Sequence, residues 1–486
     1  MKGAERLSRR DLIARSALAL GSIALPPIRL RAQTISPVML ALSAFMADAK
    51  DRALPPDVVE KAKHHILDTF AAMLSGSELP PGRVALELAR AQAGRQTSTV
   101  VGSNILTGPI DAALVNGVMA HSDETDDSHG ESQSHPGASI VPAALALGEE
   151  AGITGQHYLR AVTLGYDVGP RLTMALGGPA FRDETRRSTH AFAGTFGSAA
   201  AAGCVAGLNQ QQMRWLLDYA SQQAGGYAIW GRDTDHIEKG FVFGGMPARN
   251  GVTAGLLVRS GWNGVDDVFS GADNFFQVNA PKGNPAVLVQ GLGDRFEVVN
   301  TDIKKWTVGT PIQAPLDAID NLRKKRPFEA NDVKEVVVKL APSVGAVVDN
   351  RDIPDICLQH MVAVMLIDKT ASFHAAHDKA RMKDATVLGQ RSKVKYVPDA
   401  TLAKLLPVRV AIVEVTLSDG TVLSDRVEAV RGTVRNPMTR AEVVDKARDL
   451  IAPVTGPANA QKLIDAVFAL ESLKEIRAFR PLLQRA

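Results

Sequence analysis

From residue 36 to about residue 270 the chain returns repeatedly to one pattern: apolar residues at helical spacing, with glycine or alanine set inside the run. VVEKAKHHILDTFAAML is the first clear case, with Pro55 and Pro56 ahead of it and Gly76 behind it. IDAALVNGVMAH, SIVPAALALGEE, GQHYLRAVTLGYDVGPRL, GTFGSAAAAGCVAGL, QQMRWLLDYASQQAG and ARNGVTAGLLVRSG follow. A glycine inside a helix costs up to about 1 kcal/mol relative to alanine. Its repeated use predicts helices whose backbones approach one another closely, and the 5% aromatic content fits small contact faces.

The pattern changes between 271 and 432. FEVVN, VKEVVVKL and VRVAIVEVTLSDGTVLSDRVEAV are rich in β-branched residues, and Ser418, Asp419, Gly420 and Thr421 read as a hairpin turn. Helical candidates at 311–325 and 356–370 lie between these strands. Beyond 432 helices resume, with Thr439 and Glu442 spaced as a capping box ahead of VVDKARDLI. The expected fold is mainly α: a helical body built from both chain ends (36–270 and 433–486) carrying an inserted α+β domain (271–432). A length of 486 residues suits two such units.

A net charge of +3 gives no electrostatic case for nucleic acid binding. No run after residue 40 is long and apolar enough to span a membrane. Cys204 and Cys357 both sit in apolar, helix-like surroundings, which predicts buried free thiols, and two thiolates do not suffice for an iron–sulfur cluster. At the start of the chain, Arg9 and Arg10 precede Leu12, Ile13 and a stretch rich in Ala and Leu. This resembles a twin-arginine export signal over residues 1–33 and predicts a periplasmic protein that folds before crossing the membrane, with a frayed cytosolic extension as the alternative.

The chemistry-bearing segment is HSDETDDSHGESQSHPG, residues 121–137. It lies between two helical runs, so it reads as a loop held by rigid elements. Three readings fit its residue types: a metal cage, a polar loop whose acids cap backbone amides, or an acid/base centre pairing carboxylate with imidazole. No HExxH-like spacing supports the first.

Asn116, Gly117, His121, Asp126, Asp127, Ser128, His129, His135 and Pro136, followed by AALALGEE, resemble the signature of the MmgE/PrpD family. The likeness continues through GTFGSAAAAGCVAGL, EKGFVFGGMPARNGVTAGLLV, the region of Lys304, Lys305 and Trp306 with Asp317 downstream, and the late VTLSDGTVLSDRV hairpin. It covers nearly everything after residue 36. The family includes 2-methylcitrate dehydratase, cis-aconitate decarboxylase and iminodisuccinate epimerase. The resemblance implies a helical domain with a lid-like α+β domain, a homodimer, a small polycarboxylate substrate, and chemistry with no metal, iron–sulfur cluster or other cofactor.

Carried over residue by residue, the resemblance implies catalytic roles for Glu124, Asp126, Asp127, Ser128 and His135, with Glu124 standing where aspartate is usual. Ser188 stands where a second histidine is usual, and His190, two residues later, is the candidate substitute. Lys239 matches a catalytic basic residue displaced by one position, while Phe243 replaces a histidine. Arg249 and Lys304 match substrate-binding positions, with Lys305 and Arg351 as outer candidates. Gly309 and Gln313 depart from the polar or histidine positions of some relatives. Asp355 is expected to favour a helix N-terminus, and His374 and His377 to lie on the surface. The predicted activity is dehydration by proton abstraction and elimination of water, with decarboxylation, epimerisation or ligand binding without catalysis as the alternatives.

Overall fold

A computed structural model of the chain describes residues 34–92, 94–406 and 408–485. The expected export segment, 1–33, lies outside the described residues. Each long helical run of the sequence forms its helix. In chain order these are α1 (Pro56–Gly76), α2 (Pro109–Ala120), α3 (Pro136–Ala151), α4 (Gly155–Leu176), α5 (Thr189–Val205), α6 (Gln210–Gln223) and α7 (Met246–Arg259). Proline opens α1, α2 and α3, where its missing N–H costs nothing. Every residue of α5 is buried. It is the axial helix, packed against α3, α4, α6 and α7, and a helix apolar all round can sit only there.

The glycines explain the tightness of this packing. A Cβ on Gly244 would collide with the carbonyl of Gly117 on α2, and one on Gly117 would meet the Gly244 carbonyl in return. Two backbones therefore touch directly beneath the acidic loop that leaves α2.

The helical body closes with residues from the far end of the chain. Helices α10 (Arg440–Thr455) and α11 (Pro457–Phe468) follow the second unit. They add Leu450, Ile451, Leu463 and Ile464 to the core that contains Phe70, Tyr158 and Phe196. The capping box of Thr439 and Glu442 forms as its spacing predicts. Cys204 and Cys357 are free and buried.

The second unit has its own core. It is built from α8 (Thr310–Lys325), β1 (Val333–Leu340), α9 (Leu358–Asp368), β2 (Val394–Pro398), β3 (Ala411–Leu417) and β4 (Val422–Val427). The sheet order is β2–β1–β3–β4; β1 and β2 run parallel, and the other pairs are antiparallel. Gly420 takes φ +86° in the β3–β4 turn, the left-handed conformation such a hairpin needs.

Three features differ from the sequence expectation. FEVVN is a series of turns, not a strand, because Glu297 is drawn into a buried network with the Asp167 carboxylate, Arg295 and Asn300. Residues 275–303 pack Phe275, Phe276, Phe296, Val298 and Ile303 into the first core, and the second core begins at Trp306. The short edge strand β2 lacked a clear alternation in sequence and is fixed by parallel pairing with β1. Among the described residues no helix is long and apolar enough to cross a membrane.

Gly244→Ala should lower stability by about 1–3 kcal/mol, the cost of overpacking a filled site. Gly389→Ala, at an exposed helical position with nothing within 4 Å of a new Cβ, should be neutral or stabilising. Thermal and urea denaturation of the two variants checks the contrast.

Candidate active site

The loop between α2 and α3 is not a solvated turn. Residues 121–127, including His121, Asp123, Glu124, Asp126 and Asp127, are all buried. Charges this deep persist only when paired, and the surrounding elements supply the partners. Lys304 donates to the Glu124 carbonyl at 2.8 Å. Lys446 on α10 donates to the Thr125 carbonyl at 2.9 Å while pairing with Asp68 at 2.6 Å. Ser128 and Asp302 exchange backbone hydrogen bonds at 2.9 and 2.8 Å. Asp127 faces the helical body, where it accepts from the Tyr166 hydroxyl at 2.5 Å and the Gly137 amide at 3.0 Å, with His65 Nδ1 at 2.8 Å. Asp127 and the backbone of Ser128 therefore anchor the loop.

Asp126 is the centre of the cluster. Its two oxygens meet two imidazoles, His121 Nδ1 at 2.9 Å and His135 Nδ1 at 3.1 Å. Lys304 Nζ lies 3.6 Å away. An ionised carboxylate only accepts, so both histidines donate Nδ1–H and turn Nε2 away from Asp126. Burial by itself would raise the Asp126 pKa; His121, His135 and Lys304 outweigh it and hold the carboxyl well below its ordinary value. Burial lowers the His135 pKa, and Asp126 offsets this only in part. The ring is a neutral base aligned by a charged acceptor.

Glu124 is the second anion. Lys239 pairs with its Oε1, Lys304 stands 3.9 Å from Oε2, and His236 Nε2 lies 3.9 Å from Oε1. Despite the cost of burial, Lys239 and Lys304 hold the Glu124 pKa well below its ordinary value. Beneath the polar groups is an aromatic floor. Residues Phe241–Gly245 form a π-helical turn leading into α7, a feature common at functional sites. It places the Phe243 ring 3.7 Å from His190, 4.5 Å from His121 and 5.6 Å from His135. Ser188, not His190, caps α5, which leaves the His190 ring free to stack in the site 5.2 Å from His135. Burial and the neighbouring His135, His121 and Lys239 push the His190 pKa well down. Buried nitrogens of His121 (Nε2), His190 (Nδ1) and His236 (Nε2) have no protein hydrogen-bond partner. These nitrogens are free to pair with the polar groups of a ligand.

The structure thus brings Glu124, Asp126, His135, His190, Lys239 and Lys304 together. Other candidates lie apart from this cluster in their contacts. Lys305 pairs with Asp320 at 3.1 Å and covers the Trp306 ring at 4.2 Å. Arg249 bonds the Asn250 side chain, and the Arg351 guanidinium reaches the Val347 carbonyl at 3.4 Å. Gln313 holds the backbone of Trp306 and Val308, which shapes the segment carrying Lys304.

Sequence reasoning missed His121 and His236 as members, and Phe243 as their platform. It also misplaced two residues of the α+β unit. His377 is not a surface residue: its Nε2 lies 3.0 Å from Asp123 Oδ2. Asp355 is not a helix cap, since Cys357 takes that position on α9. It is buried facing His377, Asp123 and Glu124, and burial pushes its pKa up to about 7. Arg409, just before β3, also feels Glu124 and Asp302. Histidines followed by no regular spacing gave no signal for these meetings, which join segments far apart in the chain.

Among the described residues, His121, Asp126 and His135, and likewise His121, Glu124 and His236, bring potential ligand atoms within 4.8 Å of one another. In the first group both Nδ1 atoms donate to Asp126 beside Lys304; in the second Lys239 already sits on Glu124. A lysine ammonium thus lies beside the carboxylate of each group.

Fold and site together define a mainly helical protein with a buried imidazole–carboxylate–ammonium centre at the junction with an α+β unit. The chain belongs to the MmgE/PrpD family, a family of enzymes: residues 40–287 match its N-terminal domain and residues 306–471 its C-terminal domain. It is 26% identical over 466 residues to the cis-aconitate decarboxylase of Aspergillus terreus, covering 88% of this chain and 92% of that protein. It is likewise 26% identical over 451 residues to the human cis-aconitate decarboxylase, covering 88% and 90%. A cis-aconitate decarboxylase-like protein of Aspergillus oryzae is 24% identical over 468 residues, covering 90% and 95%.

Asp126→Asn removes the charge that aligns two imidazoles and should lower kcat/KM by roughly 10²–10⁴-fold, the range for a general acid–base group. Because burial lowers the His135 pKa from 6.5, the base stays unprotonated below that pH. The acid limb of kcat/KM should therefore fall below pH 6.5, which a pH–rate profile checks.

Proposed function

We propose that the protein is a lyase acting on a small polycarboxylate by proton transfer at the carbon next to a carboxylate, with dehydration of a hydroxylated di- or tricarboxylate as the favoured reaction and no cofactor. The observation that carries this reading is the neutral His135, buried and oriented by the ionised Asp126. Removing a proton next to a carboxylate builds negative charge on that carboxylate's oxygens, and fixed cations must receive it. Lys304 and Lys239 stand beside the two acids and are placed to do so. His135 takes the proton. A second imidazole of the cluster, His121 or His190, takes up a proton as the polyanion binds and passes it to the departing hydroxide, which leaves as water.

A second reading, decarboxylation, is favoured by the full-length similarity to cis-aconitate decarboxylases. There the carbon–carbon bond breaks, the electron pair stays on carbon, and a protonated imidazole must quench it. A polyanion entering the site raises the pKa of nearby imidazoles, so binding itself can supply that proton. The same cations serve epimerisation. A homodimer belongs to this reading too, supported by exposed Tyr227, Ile229, Ile237 and Phe241; sedimentation as a monomer would count against it.

A panel of hydroxy-polycarboxylates and their unsaturated products, followed by mass spectrometry, distinguishes loss of water from loss of carbon dioxide. His135→Ala should abolish turnover with the fold intact. Near-normal rates in that variant would remove the proposal, and tight binding without turnover by the wild type would point to a ligand-binding protein instead.

Calorimetry with tricarballylate, an unreactive tricarboxylate, in buffers of different ionisation enthalpy should show proton uptake on binding. An imidazole other than the base His135 gains a proton beside the bound anion.

A further inference from the structure

We infer that His377 is a positioning residue: from the α+β unit it holds Asp123, and through Asp123 the turn that presents Glu124 to Lys239 and Lys304. This role rests on the reading of the acidic loop as the reaction centre.

His377 ends the short helix Phe373–His377. Its Nδ1 lies 2.8 Å from the Phe373 carbonyl and its Nε2 3.0 Å from Asp123 Oδ2. The ring also packs on Phe373, with centroids 4.3 Å apart. A carbonyl oxygen only accepts, so Nδ1 carries a proton. The Nε2 contact with Asp123 is an ion pair by distance rather than an aligned hydrogen bond, and the carboxylate charge 3.0 Å away favours a proton on Nε2 as well. An imidazole held between a carbonyl and a buried carboxylate is favoured as the imidazolium.

The groups facing it come from three elements: Phe373 on its own helix, Asp123 on the loop, and Asp355 on the Pro354–Ile356 turn, with Glu124 and Lys239 beyond Asp355. Burial would lower the His377 pKa, but Asp123 and Asp355 drive it up to about 9. The same contact helps hold Asp123 below its ordinary value.

Asp123 is the link to the site. Its Oδ1 accepts from the Thr125 amide at 2.9 Å and its Oδ2 from the Thr125 hydroxyl at 2.5 Å. The residue between them is Glu124, whose carbonyl takes Lys304 and whose carboxylate takes Lys239. Asp123, Glu124, Asp126 and Asp127 place four buried acids within five residues. Of these, Asp123 has His377 as its ion-pair partner. Without that cation Asp123 would protonate or turn away, and the bend that aims Glu124 would lose its shape. The side chains are only 15% and 5% exposed, so the pair is far less screened than a surface one.

The sign of the pH effect follows. A raised imidazole pKa contributes stability that is complete below 6.5 and is lost as pH rises through about 9.

The test uses the full chain with His377→Gln, Asp123→Asn, the double variant and His377→Lys. The Thr125 amide reports the bend by hydrogen exchange and needs no substrate. Turnover of cis-aconitate and the hydroxy-polycarboxylate panel reports the reaction. If His377 acts through Asp123, His377→Gln speeds Thr125 exchange and lowers kcat about tenfold or more, with KM changing by less than about threefold. The double variant is then no worse than the poorer single. His377→Lys restores most of the loss and moves the alkaline limb above pH 9. Unchanged Thr125 exchange in His377→Gln, or single effects that add in the double variant, overturns the role. If the wild type turns over no polycarboxylate the lyase reading fails, while Thr125 exchange across the four variants still decides the positioning role.

Discussion

The site depends on keeping one carboxylate ionised where water cannot reach it. Asp126 is fully buried, and an isolated charge there would cost several kcal/mol. It survives because two imidazoles donate to it and an ammonium stands beside it. That arrangement fixes the tautomer of both rings at once. It also explains why the loop must be so heavily braced: a small shift of Lys304 or of either histidine would strand the charge.

The bracing comes from the whole length of the chain. Lys304 lies in the few residues between Ile303, where the N-terminal part of the chain last enters the helical core, and Trp306, the first residue of the α+β core. Lys446 arrives from α10 on the C-terminal side of the inserted unit, and His377 from inside that unit. The loop is therefore a common docking point for three segments, and its acids are the counter-ions that make those segments converge. Function and assembly use the same electrostatics.

Much of this was legible in the residues. The helices followed from apolar periodicity, the capping box from Thr439 and Glu442, and the close helix contacts from internal glycines such as Gly165 and Gly197. His135, Asp126, Lys239 and Lys304 were named as candidates and are found together. Less visible was which acid of the Asp126–Asp127 pair faces the cluster, because adjacent residues point in different directions and only the Tyr166 and Gly137 donors decide it. FEVVN has strand composition but no strand partner. His377 and Asp355 read as surface and cap because nothing local marks a side chain whose partner lies more than two hundred residues away.

The sequence by itself determined the mainly helical class, the inserted β-rich stretch and the supply of acids, imidazoles and lysines, since these depend on local periodicity and residue type. Tertiary structure alone decided which of those groups are charged and which are neutral. A pKa is set by burial and by the charges packed within a few ångströms, and these neighbours are brought together only when the helical body and the α+β unit close around the loop.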